Sequence, residues 1–366
     1  LTLVTTYDAR AFWGTASDTL ENLDRSYASQ QAAVVCGILQ RLVQSDKLHE
    51  ENYPRKGLAT LAGSAKFLRH GELFADQPAP GTVLLVYQGP AMFHTMVDHT
   101  GAFFLKGIAD SKHSFHKAIL EGYKFDTQTG SIDWTIDKNL TGKNAYRVKM
   151  IRPAMETDLK MFACKGITLF NLLEPRTFRY LTKTQVLDGR REAEPVRFFY
   201  SRLDTWVSNI STVFLEPGTP LKLTLSDSAL NKKLILLNNS PQNPQGTGYR
   251  VENWSVLHRT GYRIARDMWT LLVPRINNLE ESGIFNERIQ QLQNDGLTAL
   301  KQAESAWQNK RYDRFFEASS KSWALASRVY DDIEKTQKDV LYGVLFYIAL
   351  FVPFAFCLER LLFSYT

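Results

Sequence analysis

The chain has 366 residues, 44% hydrophobic and 22% charged, and carries a net charge of +6 from 44 basic and 38 acidic residues. Length and composition suit two or three globular domains and exclude a chain disordered throughout. The basic residues are scattered among acids; even the dense stretch from Lys160 to Arg197 holds Glu174, Asp188, Glu192 and Glu194. This reads as solvated surface, and no nucleic acid is expected as a partner.

The segment "LTLVTT" reads as a short strand running into Tyr7 and Asp8. It lacks an initiator Met and a signal-peptide pattern, so the chain is expected to be a fragment with any targeting signal upstream. Asp18 and Asp24 follow in a loop. The run "SQQAAVVCGILQRLV" predicts a helix with Ala32, Val35, Ile38, Leu39 and Leu42 on one side. "GTVLLVYQG" is a continuous apolar strand. Strand, helix and apolar strand form the pattern of a partly parallel sheet, where chemistry sits beyond the carboxyl ends of strands. An α/β region is therefore expected over residues 1–125.

A metal hydrolase on that scaffold needs several His, Asp or Glu ligands near the strand ends. Asp8 and Asp24 are available, and His94, Asp98 and His99 follow the second strand. If that segment is helical, His94 and Asp98 share a face. These five residues are the candidate zinc ligands. His113 and His116 form another close pair, but the spacing matches no zinc motif. No glycine-rich phosphate loop follows a strand, and no GxSxG elbow occurs. Cys36, Cys164 and Cys357 have neither metal-ligand nor disulfide-framework spacing, and do not fix the compartment. Sequons occur at Asn139, Asn209 and Asn238; they acquire meaning only in a secreted eukaryotic chain.

The middle, residues 126–260, is rich in short strands: "STVFL", "LKLTL" and "KKLILL". Pro217-Gly218 suits the centre of a tight turn between the first two. Leu221, Leu223 and Leu225 alternate with Lys222 and Thr224, which predicts one buried and one wet face. Asn238 to Gly248 is a polar Pro/Gly loop. A β-sandwich-like domain is the expected result.

Residues 261–339 read as a helical hairpin stalk broken at "NKRYD", with Pro274 at a helix first turn. Phe316, Trp323 and Tyr330 repeat every seven residues, with Ser319, Ala326 and Ile333 offset by three, a helix-pairing stripe. From Val340 to Leu358 nineteen residues carry no charge. At 1.5 Å per residue this nearly crosses a hydrocarbon core of about 30 Å, and residues 340–366 are expected to form a transmembrane helix in contact with lipid. Pro353 is tolerable there. Together these readings give an α+β multidomain chain.

The segments "FACKGITLFNLLEPRTFRYL", "VFLEPGTPLKLTL", "GYRIARDMWTLLVPRINNLEESGI" and "DVLYGVLFYIALFVPFAFCLERLLF" carry a resemblance. In their order the chain resembles large bacterial membrane proteins that join an extracytoplasmic domain related to zinc aminopeptidases to an ABC-type permease-like membrane region. The family's first metal-binding position falls at Tyr7-Asp8 and its second near Asp24-Arg25-Ser26. Its paired glutamates fall at Pro90-Ala91. One carboxylate is thus kept and the general base is absent. The resemblance implies a peptidase-like scaffold without catalytic or cofactor-binding residues, and envelope proteins or transporter subunits as partners. It also implies a bacterial inner-membrane location with the folded domains periplasmic. Charge alone argues otherwise, since Lys321, Arg328, Lys335 and Lys338 lie upstream of the span and only Arg360 downstream. The alternative is a membrane-tethered zinc-dependent hydrolase.

Overall fold

The computed structural model describes residues 19–44, 57–72, 74–170, 173–176, 179–180, 184–201, 210–226 and 232–363. It is an α+β multidomain chain with a curled half-barrel sheet and a long apolar C-terminal helix. Among the described residues the strands form four sheets.

Helix α1 (Arg25–Val43) starts where Asp24 accepts a hydrogen bond from the Tyr27 N–H at 3.0 Å, the capping role that favours Asp before a first turn. The expected helix is present, but none of its residues is buried. Among the described residues no strand buries its apolar side.

The first sheet contains β1 (Leu58–Phe67), β2 (Gln77–Pro78), β3 (Val83–Gln88), β4 (Ala91–Met96), β5 (Ala102–Ala109), β6 (Ala118–Phe125), β7 (Ile132–Ile136), β8 (Arg147–Val148) and β9 (Ala154–Ala163). The order is β2-β1-β9-β7-β6-β3-β4, with β5 on β1 and β8 on β6. β1 and β9 run parallel. The apolar strand β3 is antiparallel to both neighbours, β4 and β6, which corrects its reading as a parallel strand. The reason is local. Gly89 at φ +61° and Pro90 form a two-residue connection, with Gln88 opposite Ala91. Glycine takes that positive φ without steric cost, so the chain reverses at once into a hairpin.

The Thr95 hydroxyl of β4 donates to the Phe104 carbonyl of β5 at 3.2 Å, joining the two ends of the curled sheet. Inside lie Leu61, Leu84, Val86, Ile108, Leu120, Ile136 and Leu159, all buried. β6 pairs with β7 across residue 125, where the sequence suggested a boundary. Two short helices, α2 (Lys138–Thr141) and α3 (Lys143–Tyr146), bridge β7 to β8. Asp137 caps α2, accepting from the Asn139 and Leu140 N–H groups, and its burial pushes its carboxyl above the usual range.

The following strands are β10 (Lys165–Leu169), β11 (Leu173–Glu174), β12 (Arg179–Tyr180), β13 (Thr184–Asp188), β14 (Phe198–Tyr200), β15 (Ser211–Leu215), β16 (Pro220–Ser226), β17 (Lys232–Leu236), β18 (Tyr249–Arg250) and β19 (Val256–Leu257). One sheet has the order β14-β15-β10-β19, another β13-β16-β17 with β18 on β16, and β11 and β12 pair alone. The sheet containing β15 is shared between two cores. Val213 and Leu215 join the core of the second sheet and the helices, while Phe214 points the other way, with its ring 5.5 Å from Tyr123. Phe198 and Phe199 divide in the same manner. Period-two alternation thus makes this sheet the joint between two regions.

The turn between β15 and β16 is as expected, with Gly218 at φ +80° after Pro217 and the Thr219 N–H bonded to the Glu216 carbonyl. Leu221, Leu223 and Leu225 are buried, also as expected. The opposite face is not wet. Lys222 is 1% exposed and Thr224 2%. The Lys222 ammonium is held by the Glu192 carboxylate and the Gln245 carbonyl, both on covering loops.

Three helices complete the chain: α4 (Thr260–Glu281), α5 (Glu287–Gln308) and α6 (Tyr312–Phe363). Pro274 lies inside α4 and not at its first turn. The stalk is therefore a three-helix bundle rather than a hairpin alone. Its node joins one residue from each helix. Trp269 Nε1 donates to Ser322 Oγ at 3.0 Å, and Ser322 Oγ donates to the Gly296 carbonyl at 2.8 Å. The predicted stripe packs here: Ser319, Trp323, Ala326, Tyr330 and Ile333 are buried, and only Phe316 of the set is exposed.

One buried carboxylate and one half-buried one tie the bundle to the sheets. Asp267 is fully buried; its Oδ2 accepts from the Leu237 and Asn238 N–H groups and the Tyr249 hydroxyl, and Arg266 covers its Oδ1. Asp331 on α6 takes Lys233 at 2.7 Å and Arg176 at 3.0 Å. Beyond Ile333 the same helix runs on without a break. At 52 residues α6 is about 78 Å long. Its most apolar 18-residue window has mean hydropathy 2.3 and is nowhere buried within the protein. Among the described residues it is the one helix long and apolar enough to cross a membrane.

Candidate binding groove

A cavity of about 1250 Å³ opens between the parallel pair β1–β9, the β4–β5 wall and the short helices α2 and α3. The parallel register explains its polarity. Leu61, Ala65 and Leu159 face the core, while Met155, opposite Leu61, packs on that core and also reaches the groove. The alternate pairs, Ala62 with Glu156 and Ser64 with Asp158, line the groove. Ser64 Oγ donates to Asp158 Oδ1 at 2.6 Å, and Thr157 Oγ1 to the Ala145 carbonyl at 2.7 Å, which fixes floor and wall.

The β4–β5 wall presents Met96, 62% exposed, and Phe104, 53% exposed, with the Lys106 ammonium 5.5 Å from the Phe104 ring. Lys117, Arg147, Lys149 and Lys160 line the groove against Asp98, Glu156 and Asp158. The Arg147 Nε is buried without a hydrogen-bond partner. Met, Phe and Arg are the residue types enriched where proteins contact proteins, and the interspersed charges of both signs favour a polar, complementary partner. A second cleft of about 510 Å³ lies beside β16 and β18, lined by Gly189, Gly218, Gly246 and Gly248 with Arg190 and Arg250. Arg190 is already paired with Asp188 at 2.8 Å.

The sequence-derived ligand candidates have other positions and occupations. Asp8 lies outside the described residues. Asp24 caps α1. The segment holding His94 is strand and not helix, so His94 and Asp98 do not share a helical face. Asp98 serves its own turn: its Oδ1 accepts from the Thr100 hydroxyl at 2.6 Å and from the Thr100 and Ala102 N–H groups. The Thr100 hydroxyl and the Ala102 amide hold its carboxyl below the usual range. His99 is exposed in that turn. His113 Nδ1 lies 2.7 Å from Asp110 Oδ1, and His113 is the main cause of the lowered Asp110 carboxyl. Among the described residues no three His, Cys, Asp or Glu side chains come together as a metal site requires. Pro90 and Ala91, where the resemblance puts paired glutamates, are the hairpin turn and the first residue of β4.

No family model matches the chain, and no curated protein matches it. Among solved structures it is similar to the Bacillus anthracis TIE protein, at 7% identity over 54% of this chain and 32% of that one, with a TM-score of 0.19. It is similar also to the shaft pilin SpaA of Lactobacillus rhamnosus GG, at 8% identity over 54% of this chain and 96% of that one, again with a TM-score of 0.19. The chain spans 32% of the length of the TIE protein. Likenesses this slight carry no argument about function.

The groove was not visible in the sequence. β1, "LATLAGSAKF", inserts small residues at alternate positions, and its partner β9 lies 94 residues away at the Ser64–Asp158 contact. Alternation of Thr157, Leu159 and Met161 marks β9 as a half-buried strand, but nothing local says which strand it meets. The asparagines of the two described sequons have structural work: Asn139 Nδ2 donates to the Pro195 carbonyl, and Asn238 Nδ2 to the Gly248 carbonyl.

Proposed function

We propose that this chain is the non-catalytic, membrane-anchored binding region of a bacterial envelope protein. Helix α6 sits in the inner membrane, and the sheets and bundle stand on the periplasmic side. The groove between β1–β9 and β4–β5 receives a partner protein, which the sequence resemblance makes a subunit or membrane region of an ABC-type permease. One observation carries most of the reading: α6 passes uninterrupted from a packed bundle into an exposed apolar stretch. A flexible tether would let the folded regions wander, whereas a continuous helix holds them at a fixed height above the bilayer. The groove supports the binding role, because its carboxylates Asp98 and Asp158 are held by Thr100 and Ser64 while its exposed apolar wall has no partner within the chain's core.

The test is a photo-crosslinking amino acid placed at Met96 in intact cells, with Phe316, which is exposed and does not line the groove, as the control position. The reading expects adducts to a membrane permease subunit from Met96 and not from Phe316. Adducts that are absent at Met96, or the same from both positions, would contradict it.

A further inference from the structure

The connection between α4 and α5 is built by three residues and contains a fourth that has no part in it. α4 ends in a left-handed cap: Gly283 at φ +81° donates to the Glu280 carbonyl and Ile284 N–H to the Leu279 carbonyl. Ile284 folds back beside Leu279, the apolar contact that accompanies such caps. Asn286 then starts α5, its side chain accepting from the Arg288 and Ile289 N–H groups. Phe285 lies between them and is 62% exposed. A hydrophobic residue before an N-cap commonly packs on the fourth residue of the helix, but here that residue is Gln290, whose amide bonds Glu280 instead.

The position of this turn along α6 supplies the missing role. Phe285, Ile284 and Ile289 border a small crevice with Thr336. Arg288 reaches Asp332, fixing the same register. Thr336 is four residues before Val340, so the turn stands about 6 Å above the start of the uncharged run. That is interfacial depth, where Tyr342, 65% exposed, also lies. The nearby charges, Glu280, Glu281, Glu287 and Asp339 against Arg288, Lys335 and Lys338, give no preference for an anionic headgroup.

We infer that the α4–α5 turn is a second membrane contact, with Phe285 inserted as an apolar wedge at the bilayer interface beside α6. The inference rests on the membrane placement of α6 proposed above. Two contacts, one spanning and one interfacial, restrain the bundle's tilt, as a single helix cannot.

The test uses the full chain in phosphatidylcholine vesicles, with Cys36→Ser and Cys357→Ser and the buried Cys164 retained. A nitroxide is attached at Phe285→Cys, Phe316→Cys or Leu350→Cys in turn, and its relaxation by oxygen and by a water-soluble nickel chelate is compared. The expected result is a shift of the oxygen-to-nickel ratio toward lipid at 285 and 350 relative to 316. A ratio at 285 equal to that at 316, with 350 in lipid, would overturn the wedge and leave the span intact. A water-exposed label at 350 would overturn both.

Discussion

Single residues decide this fold where two helices or strands meet closely. Gly296 is the sharpest case. A Cβ there would lie 2.1 Å from the Trp269 ring, which is itself fixed by Ser322. Helix propensity alone favours alanine over glycine by about 1 kcal/mol. Overpacking costs about 1–3 kcal/mol, so it should win. Gly296→Ala is therefore expected to lower the unfolding midpoint of the detergent-solubilised chain; an increase would mean that Trp269 is not held against α5. The same scale shows why the ligand candidates misled. An Asp before a helix or a Gly-containing turn looks alike whether it binds a metal or its own backbone, and Asp24 and Asp98 both do the latter.

At the scale of elements, local periodicity was legible and long-range cover was not. The seven-residue stripe of α6 names its buried face from Ser319 to Ile333, and only Phe316 at its start stays exposed. The turn at Pro217-Gly218 was equally plain. β3 was misread because a Gly-Pro pair at its end can terminate a strand or reverse it, and only pairing with β4 decides. β16 was half read: its leucines are buried, but its lysine is buried too, since Glu192 and Gln245 approach from 30 and 23 residues away. Leu223→Ala should cost about 2–5 kcal/mol by opening a cavity. Lys222→Met should also cost about 0.5–1.5 kcal/mol, the net worth of the buried ammonium's bonds to Glu192 and the Gln245 carbonyl, which themselves stay within reach of water. Denaturant midpoints of the two variants check this; an unchanged midpoint for Lys222→Met would show that face to be wet, as its alternation first suggested.

At the scale of the whole molecule, α6 connects the bundle, part of the strand region and the apolar run. It packs against α4 and α5, takes Lys233 and Arg176 of the strand region on Asp331, and continues into the apolar run. From Asp331 to Val340 is nine residues, or about 14 Å along the helix. The strand region bound at Asp331 is thus held near any bilayer the helix crosses, and the buried residues of α6 all lie before 339. The folded part of α6 should be stable without the apolar part that continues it. The most direct test is to end the chain at Asp339, express it, and measure both its partition between membrane and soluble fractions and its thermal unfolding. A soluble protein that melts cooperatively is the expected result; a product that stays with the membrane, or one that is soluble but shows no unfolding transition, would overturn that independence.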